Sequence, residues 1–214
     1  MQLTRICLTG EDGINGAMQV SQKLAKAIAE KQVSASDYSS LLDSIAKAQP
    51  RVFLDVFVGG DTVGSKKRRR RFGYQLERHG DPLSQISDDE VLSWCEVNPA
   101  LRYPAIASVI SPFTKAHEID KLEWKNIVFE IFKRAPDLDC ILKDIAAAIR
   151  PQSWSGSLAE ILQKRLVLFQ GIENHENSQI RAWAKAEYSA LQESIRFDRE
   201  RETRHSRERN ERFE

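Results

Sequence analysis

Six consecutive cations, Lys66, Lys67, Arg68, Arg69, Arg70 and Arg71, are followed closely by Phe72 and Tyr74. Cations neutralise phosphates and aromatic rings stack on bases, so the run is a candidate nucleic-acid contact. On a helix, however, six successive residues point around the whole axis. Acids also stand near it in sequence, at Glu77, Asp81, Asp88 and Asp89. The competing reading is therefore a solvated or protein-facing charged face. The whole chain carries 32 Lys and Arg against 31 Asp and Glu. No global basic field draws it to DNA or RNA, and any such binding has to be local.

Other chemistry-bearing residues resolve into structural roles. The stretch "SWSGS" at 153–157 has the look of a nucleophile elbow, but the first glycine is missing and the run precedes a helix instead of joining strand to helix. It reads better as a helix start, with Ser155 or Ser157 as the cap, Glu160 three residues beyond Ser157, and Trp154 packed just before it. The segment "GEDGING" lacks the lysine and the preceding strand of a phosphate loop. His79, His117, His175 and His205 lie in separate polar segments, without metal-ligand spacing. They are expected at the surface or in turns. Asp88 and Asp89 open an apolar helix, where acids suit the N-terminal dipole. Cys7, Cys95 and Cys140 are odd in number and far apart, so they are expected to be reduced core residues in a cytoplasmic protein. The expectation is a protein without catalytic residues, metal or cofactor, and without a membrane span, since no stretch approaches the ~20 apolar residues that a span requires.

The elements behind these residues follow a helical period. Apolar positions recur at three and four, Gly and Pro are few (10 and 7 in 214 residues), and the fold class is all-α. After a loose start over "GEDGING", helices are expected near 15–31, with Met18, Leu24, Ala25 and Ile28 on one face, and near 36–48, opened by Ser or Asp caps and ended by Pro50. The run "RVFLDVFVGG" fits strand or helix; its neighbours favour helix, stopped at Gly59 and Gly60. These form a small N-terminal helical group over 1–60. Residues 61–86 form a basic connector with a short helix near 69–78.

From 87 to 197 the sequence repeats a helix, a turn and a helix three times. The turns fall at 98–99, 135–136 and 173–177, spaced by roughly 37 to 40 residues, as in stacked two-helix repeats, the alternative being an irregular helical bundle with chance spacing. The second helices match in their inward residues: Ile106, Val109 and Ile110; Leu138, Ile141, Leu142 and Ile145; Ile180, Trp183, Ala184 and Leu191. Trp94, Trp124, Trp154 and Trp183 recur near the pair starts or turns and are expected in the core.

The segment "NHENSQIRAWAKAEYSAL" is similar to the HEAT pattern, in which a polar turn precedes Ile-Arg and then small and apolar residues. The pairs over 87–197 thus resemble HEAT or armadillo-type repeats, which implies stacked hairpins in an α-solenoid. The stretches "WCEVNPALRYP", "RAPD", "SWSGSLAEIL" and the charged end "ERFE" resemble, more loosely, the C-terminal helical region of large bacterial multidomain proteins of the phage-defence type. That resemblance implies a subunit or split-off part of an antiviral complex.

Residues 198–214 form a charged helical tail in which acids and arginines alternate, with Glu200 and Arg204, and Glu208 and Arg212, at the supporting i,i+4 spacing. Such a tail either runs past the core into solvent or serves as a docking handle, with Arg204, Arg207, Arg212 and Phe213 as its contacts. The combined expectation is a non-enzymatic module that binds a protein partner or larger complex, with Lys66 to Arg71 and Arg181 as candidate binding residues. Nucleic-acid binding through 66–71 and self-association through the tail are the alternatives.

Overall fold

The computed structural model describes residues 10–59, 72, 81–115 and 121–211. The first helix, α1 (Gly10–Ala29), already runs through "GEDGING" instead of starting after it. Gly13, Ala17, Ser21, Leu24 and Ala25 form its buried stripe. Packing of that stripe outweighs the cost of about 1 kcal/mol for each helical glycine. The helix closes with Lys31 in the left-handed region (φ 60°). There the Gln32 N–H donates to the Ala27 carbonyl (2.9 Å) and the Lys31 N–H to that of Ile28 (3.1 Å), the pairing of a Schellman motif.

A 3-10 turn over Ala35–Tyr38 leads into α2 (Ser39–Ala48). The expected Ser or Asp cap is not formed: the Ser34 hydroxyl shares a hydrogen bond with that of Ser36 (2.7 Å). Pro50 ends α2 and begins α3 (Pro50–Phe53), using proline's tolerance of the first helical position. The chain then widens into a π-helical turn, Leu54–Val58, closed by the Gly59 N–H on the Leu54 carbonyl (2.8 Å). The run is helical, as its neighbours suggest, with Val52, Phe53, Leu54, Val56, Phe57 and Val58 buried and Asp55 on the outside.

Next come α4 (Asp88–Glu96) and α5 (Pro99–Ala107). Ser87 and Glu90 form a reciprocal capping box at the start of α4, with Asp88 and Asp89 in its first turn. The ribbon β1 (Phe113–Lys115) and β2 (Leu122–Trp124) is antiparallel, with Phe113 opposite Trp124. It departs from the all-α expectation for this stretch. Helices α6 (Asn126–Arg134), α7 (Leu138–Ile149), α8 (Leu158–Gln170) and α9 (Ser178–Glu211) complete the order. Among the described residues the fold is all-α apart from that ribbon, and the helix pairs turn where Asn98-Pro99, Ala135-Pro136 and the polar segment 173–177 stand.

Two compact units result. One holds α1–α6 and most of α7; the other holds β1, β2, α8 and α9. The repeat positions lie inward: Ile106, Val109, Ile110, Ile141, Leu142, Ile145, Ile180, Ala184 and Leu191 are buried, and Leu138 and Trp183 are half-buried. Among the described residues no helix is long and apolar enough to cross a membrane.

Candidate functional site

Helix α9 is 34 residues long, or about 51 Å at 1.5 Å per residue. Its inner stripe, Ile180, Ala184, Leu191 and Ile195, packs on α8 and then turns polar at Asp198 and Glu202. The change coincides with the start of α8. There Ser157 accepts the Glu160 N–H at 3.2 Å as the N-cap, and its own hydroxyl donates to both Glu202 oxygens (3.0 and 2.9 Å). The Glu202 carboxylate thereby sits where the α8 dipole favours negative charge. Asp198 is only 7% exposed and is paired with Arg201 (2.9 Å).

The other end of α9 is held by rings. Phe169 and Trp183 meet edge to face at 5.4 Å, and Trp124 approaches both, at 6.3 and 6.4 Å. The Trp124 indole N–H donates to the Leu168 carbonyl (2.6 Å), occupying an acceptor that the end of α8 leaves without a helical partner. Asn177 caps α9 by accepting the Gln179 and Ile180 N–H groups (2.8 and 3.3 Å). Arg181 donates to the carbonyls of His175 and Glu176 (2.7 and 2.8 Å), so this candidate binding residue also ties down the turn before α9.

Past Glu202 the helix continues with Thr203, Arg204, His205, Arg207 and Glu208 all exposed. The tail residues Arg204 and Arg207 stand three apart, and His205 lies 3.6 Å from Glu208. Arg212 and Phe213 lie outside the described residues, as do Lys66, Lys67, Arg68, Arg69, Arg70, Arg71 and Tyr74, the helix expected near 69–78, and Cys7, His79 and His117. Phe72 is described, and it corrects one expectation. It is buried and stacked on Phe57 (centroids 5.7 Å, planes 6° apart), so its ring serves the core and not a base. Trp154 is a second correction: it is 48% exposed, outside the core, because its segment makes a loop turned by Gly156 at φ 79°. Cys95 is buried as expected, while Cys140 is half-buried.

A polar cluster on the other unit escaped the sequence reading. Asp55 Oδ1 accepts from Trp94 Nε1 (2.7 Å) and from Arg102 (3.1 Å). The guanidinium of Arg102 also donates to the Trp94 carbonyl (2.8 Å) and lies 4.5 Å above the Trp94 ring. Nearby in sequence, the Tyr103 hydroxyl donates to Glu96 (2.6 Å). Burial, then that bond, push its phenol upward from the ordinary range. Arg134 bonds Glu130 through two nitrogens (3.1 and 2.8 Å), and this holds the Glu130 carboxyl below the usual carboxylate range. The only sequence sign of the first cluster was one acid, Asp55, inside an apolar run.

Comparison with protein families, with curated proteins and with solved structures found no match for this chain.

Proposed function

We propose that this chain is a non-enzymatic helical-repeat interaction module, whose paired helices act as HEAT-like repeats and whose α9 is held out for a protein partner. The observation that carries this reading is the continuation of α9 beyond the Ser157–Glu202 hydrogen bond at the start of α8 into a segment with exposed Arg204, His205, Arg207 and Glu208. Charge pairs along a helix contribute only about 0.2–0.5 kcal/mol each. A partner laid along the segment would supply the burial it lacks. The matched inward residues of the three second helices support the HEAT-like reading. Membership in a bacterial antiviral assembly rests on the sequence resemblance, and the cytoplasmic location on the odd, widely spaced cysteines.

The test is a tagged chain recovered from an extract of its source cells at moderate salt after nuclease treatment, with the bound proteins identified by mass spectrometry. One stoichiometric protein supports the module. Binding that disappears with nuclease would transfer the working surface to Lys66 to Arg71 and end the protein-partner reading, because phosphate contacts are the strongly salt-dependent ones.

A further inference from the structure

On the outward side of α9, Phe197 is 64% exposed, with Glu193 four residues before it and Arg201 four residues after, both exposed. At 3.6 residues per turn these three side chains fall within an arc of about 80°, with each charge ~6 Å along the axis from the ring. The arrangement is self-complementary. Turning a second α9 end for end about Phe197 sets Glu193 against the partner's Arg201, and Arg201 against the partner's Glu193. The two phenyl rings then meet on the axis, which is the pattern of a two-fold interface.

We propose that α9 pairs in antiparallel fashion with α9 of a second copy of this chain, about a two-fold axis at Phe197. The same symmetry lays residues 203–208 of one copy, where Thr203, Arg204, His205, Arg207 and Glu208 are exposed, over 186–191 of the other, where Ala186 and Ala190 leave room for them. Arg201 already pairs with Asp198 at 2.9 Å, but its side chain keeps 45% of its surface in solvent, open to a second carboxylate. Val97 and Leu101, at the turn between α4 and α5, are as exposed as Phe197 but lack flanking charges of this symmetry, so they do not specify a second copy. The inference rests on reading α9 as a protein-docking helix and names what docks there.

The test is sedimentation equilibrium of the full chain over a roughly hundredfold range of concentration. Wild type is expected to be a concentration-dependent dimer. Glu193→Arg or Arg201→Glu alone faces like charges and weakens the dimer by roughly tenfold or more, whereas the double reversal restores it. A Phe197→Cys chain, oxidised mildly, should give a cross-linked dimer that wild type does not, since a disulfide requires α-carbons within about 7 Å of each other. A wild-type chain that stays monomeric overturns the pairing, as does a dimer indifferent to the single reversals or one that the double reversal fails to restore. Monomeric wild type that still recovers a different protein after nuclease treatment would show that the pairing alone has failed, and not the docking reading.

Discussion

The indole N–H of Trp94 donates to Asp55 across 2.7 Å, joining residues 39 positions apart and tying α4 to the π-helical turn. Trp94 is buried, and the Asp55 carboxylate is the acceptor that its N–H has in this structure. Asp55→Ala should therefore lower unfolding stability by about 1–3 kcal/mol, the cost of leaving a buried donor unpaired. Asp55→Asn keeps an acceptor for Trp94 and should recover part of that loss. Urea unfolding of the three chains measures both, and equal stability for wild type and Asp55→Ala would contradict the linkage.

The same tryptophan limits Gly59. A β-carbon added there would lie 2.7 Å from Cζ2 of the Trp94 ring, so Gly59→Ala should cost about 1–3 kcal/mol through overpacking. Gly16, inside α1, has nothing within 4 Å of that position. Gly16→Ala should instead stabilise by about 0.5–1 kcal/mol, the difference in helix preference. Thermal melts of the two variants are expected to move in opposite directions.

Ser157 both caps α8 and holds Glu202. Ser157→Ala should cost about 1 kcal/mol for the cap and speed amide exchange in α9 from Glu202 onward. Glu202→Gln, which leaves the cap in place, should affect exchange more than global stability. If exchange beyond Glu202 is unchanged in both, the anchor lies elsewhere.

Burial, then the charge of Glu96, push the Cys95 thiol up to about 12 from an ordinary 9.0. Below that ordinary value the folded and unfolded states both keep the proton, and pH has no effect through this group. Above it the unfolded thiol ionises while the folded one does not, so stability falls as pH rises from about 9 toward 12. The Tyr103 phenol, also raised, adds to the fall at the alkaline end. Denaturation midpoints from pH 8 to 11 should decline, with a shallower slope in Cys95→Ala, and a slope unchanged by that substitution would contradict the assignment.

The legible parts of the fold were those that local chemistry decides. Asn98-Pro99, Ala135-Pro136 and the segment around Asn177 break helices within a few residues of themselves, and the 3.6 period alone located Ile106, Ile141 and Ile180 as inward. The Ser157 cap depends on a neighbour three residues away. The ribbon of Phe113–Lys115 and Leu122–Trp124 escaped because three-residue strands are too short to display an alternation. Partners far apart in sequence were equally hidden. Nothing local links Asp55 to Arg102, 47 residues later, or tells that Phe72 stacks on Phe57 while Trp154 faces solvent. In α9, the alternating charges announced an exposed helix, but Phe197 and its flanking Glu193 and Arg201 became a recognisable surface only once the inner stripe was known.

The most direct test of α9 as a docking helix is nuclease-treated recovery with two baits, the intact chain and one ending at Glu202. The account predicts one stoichiometric protein on the intact chain and its loss from the shortened one, with both baits folded by circular dichroism. Equal recovery on the two baits would contradict it and place the binding surface outside the end of α9.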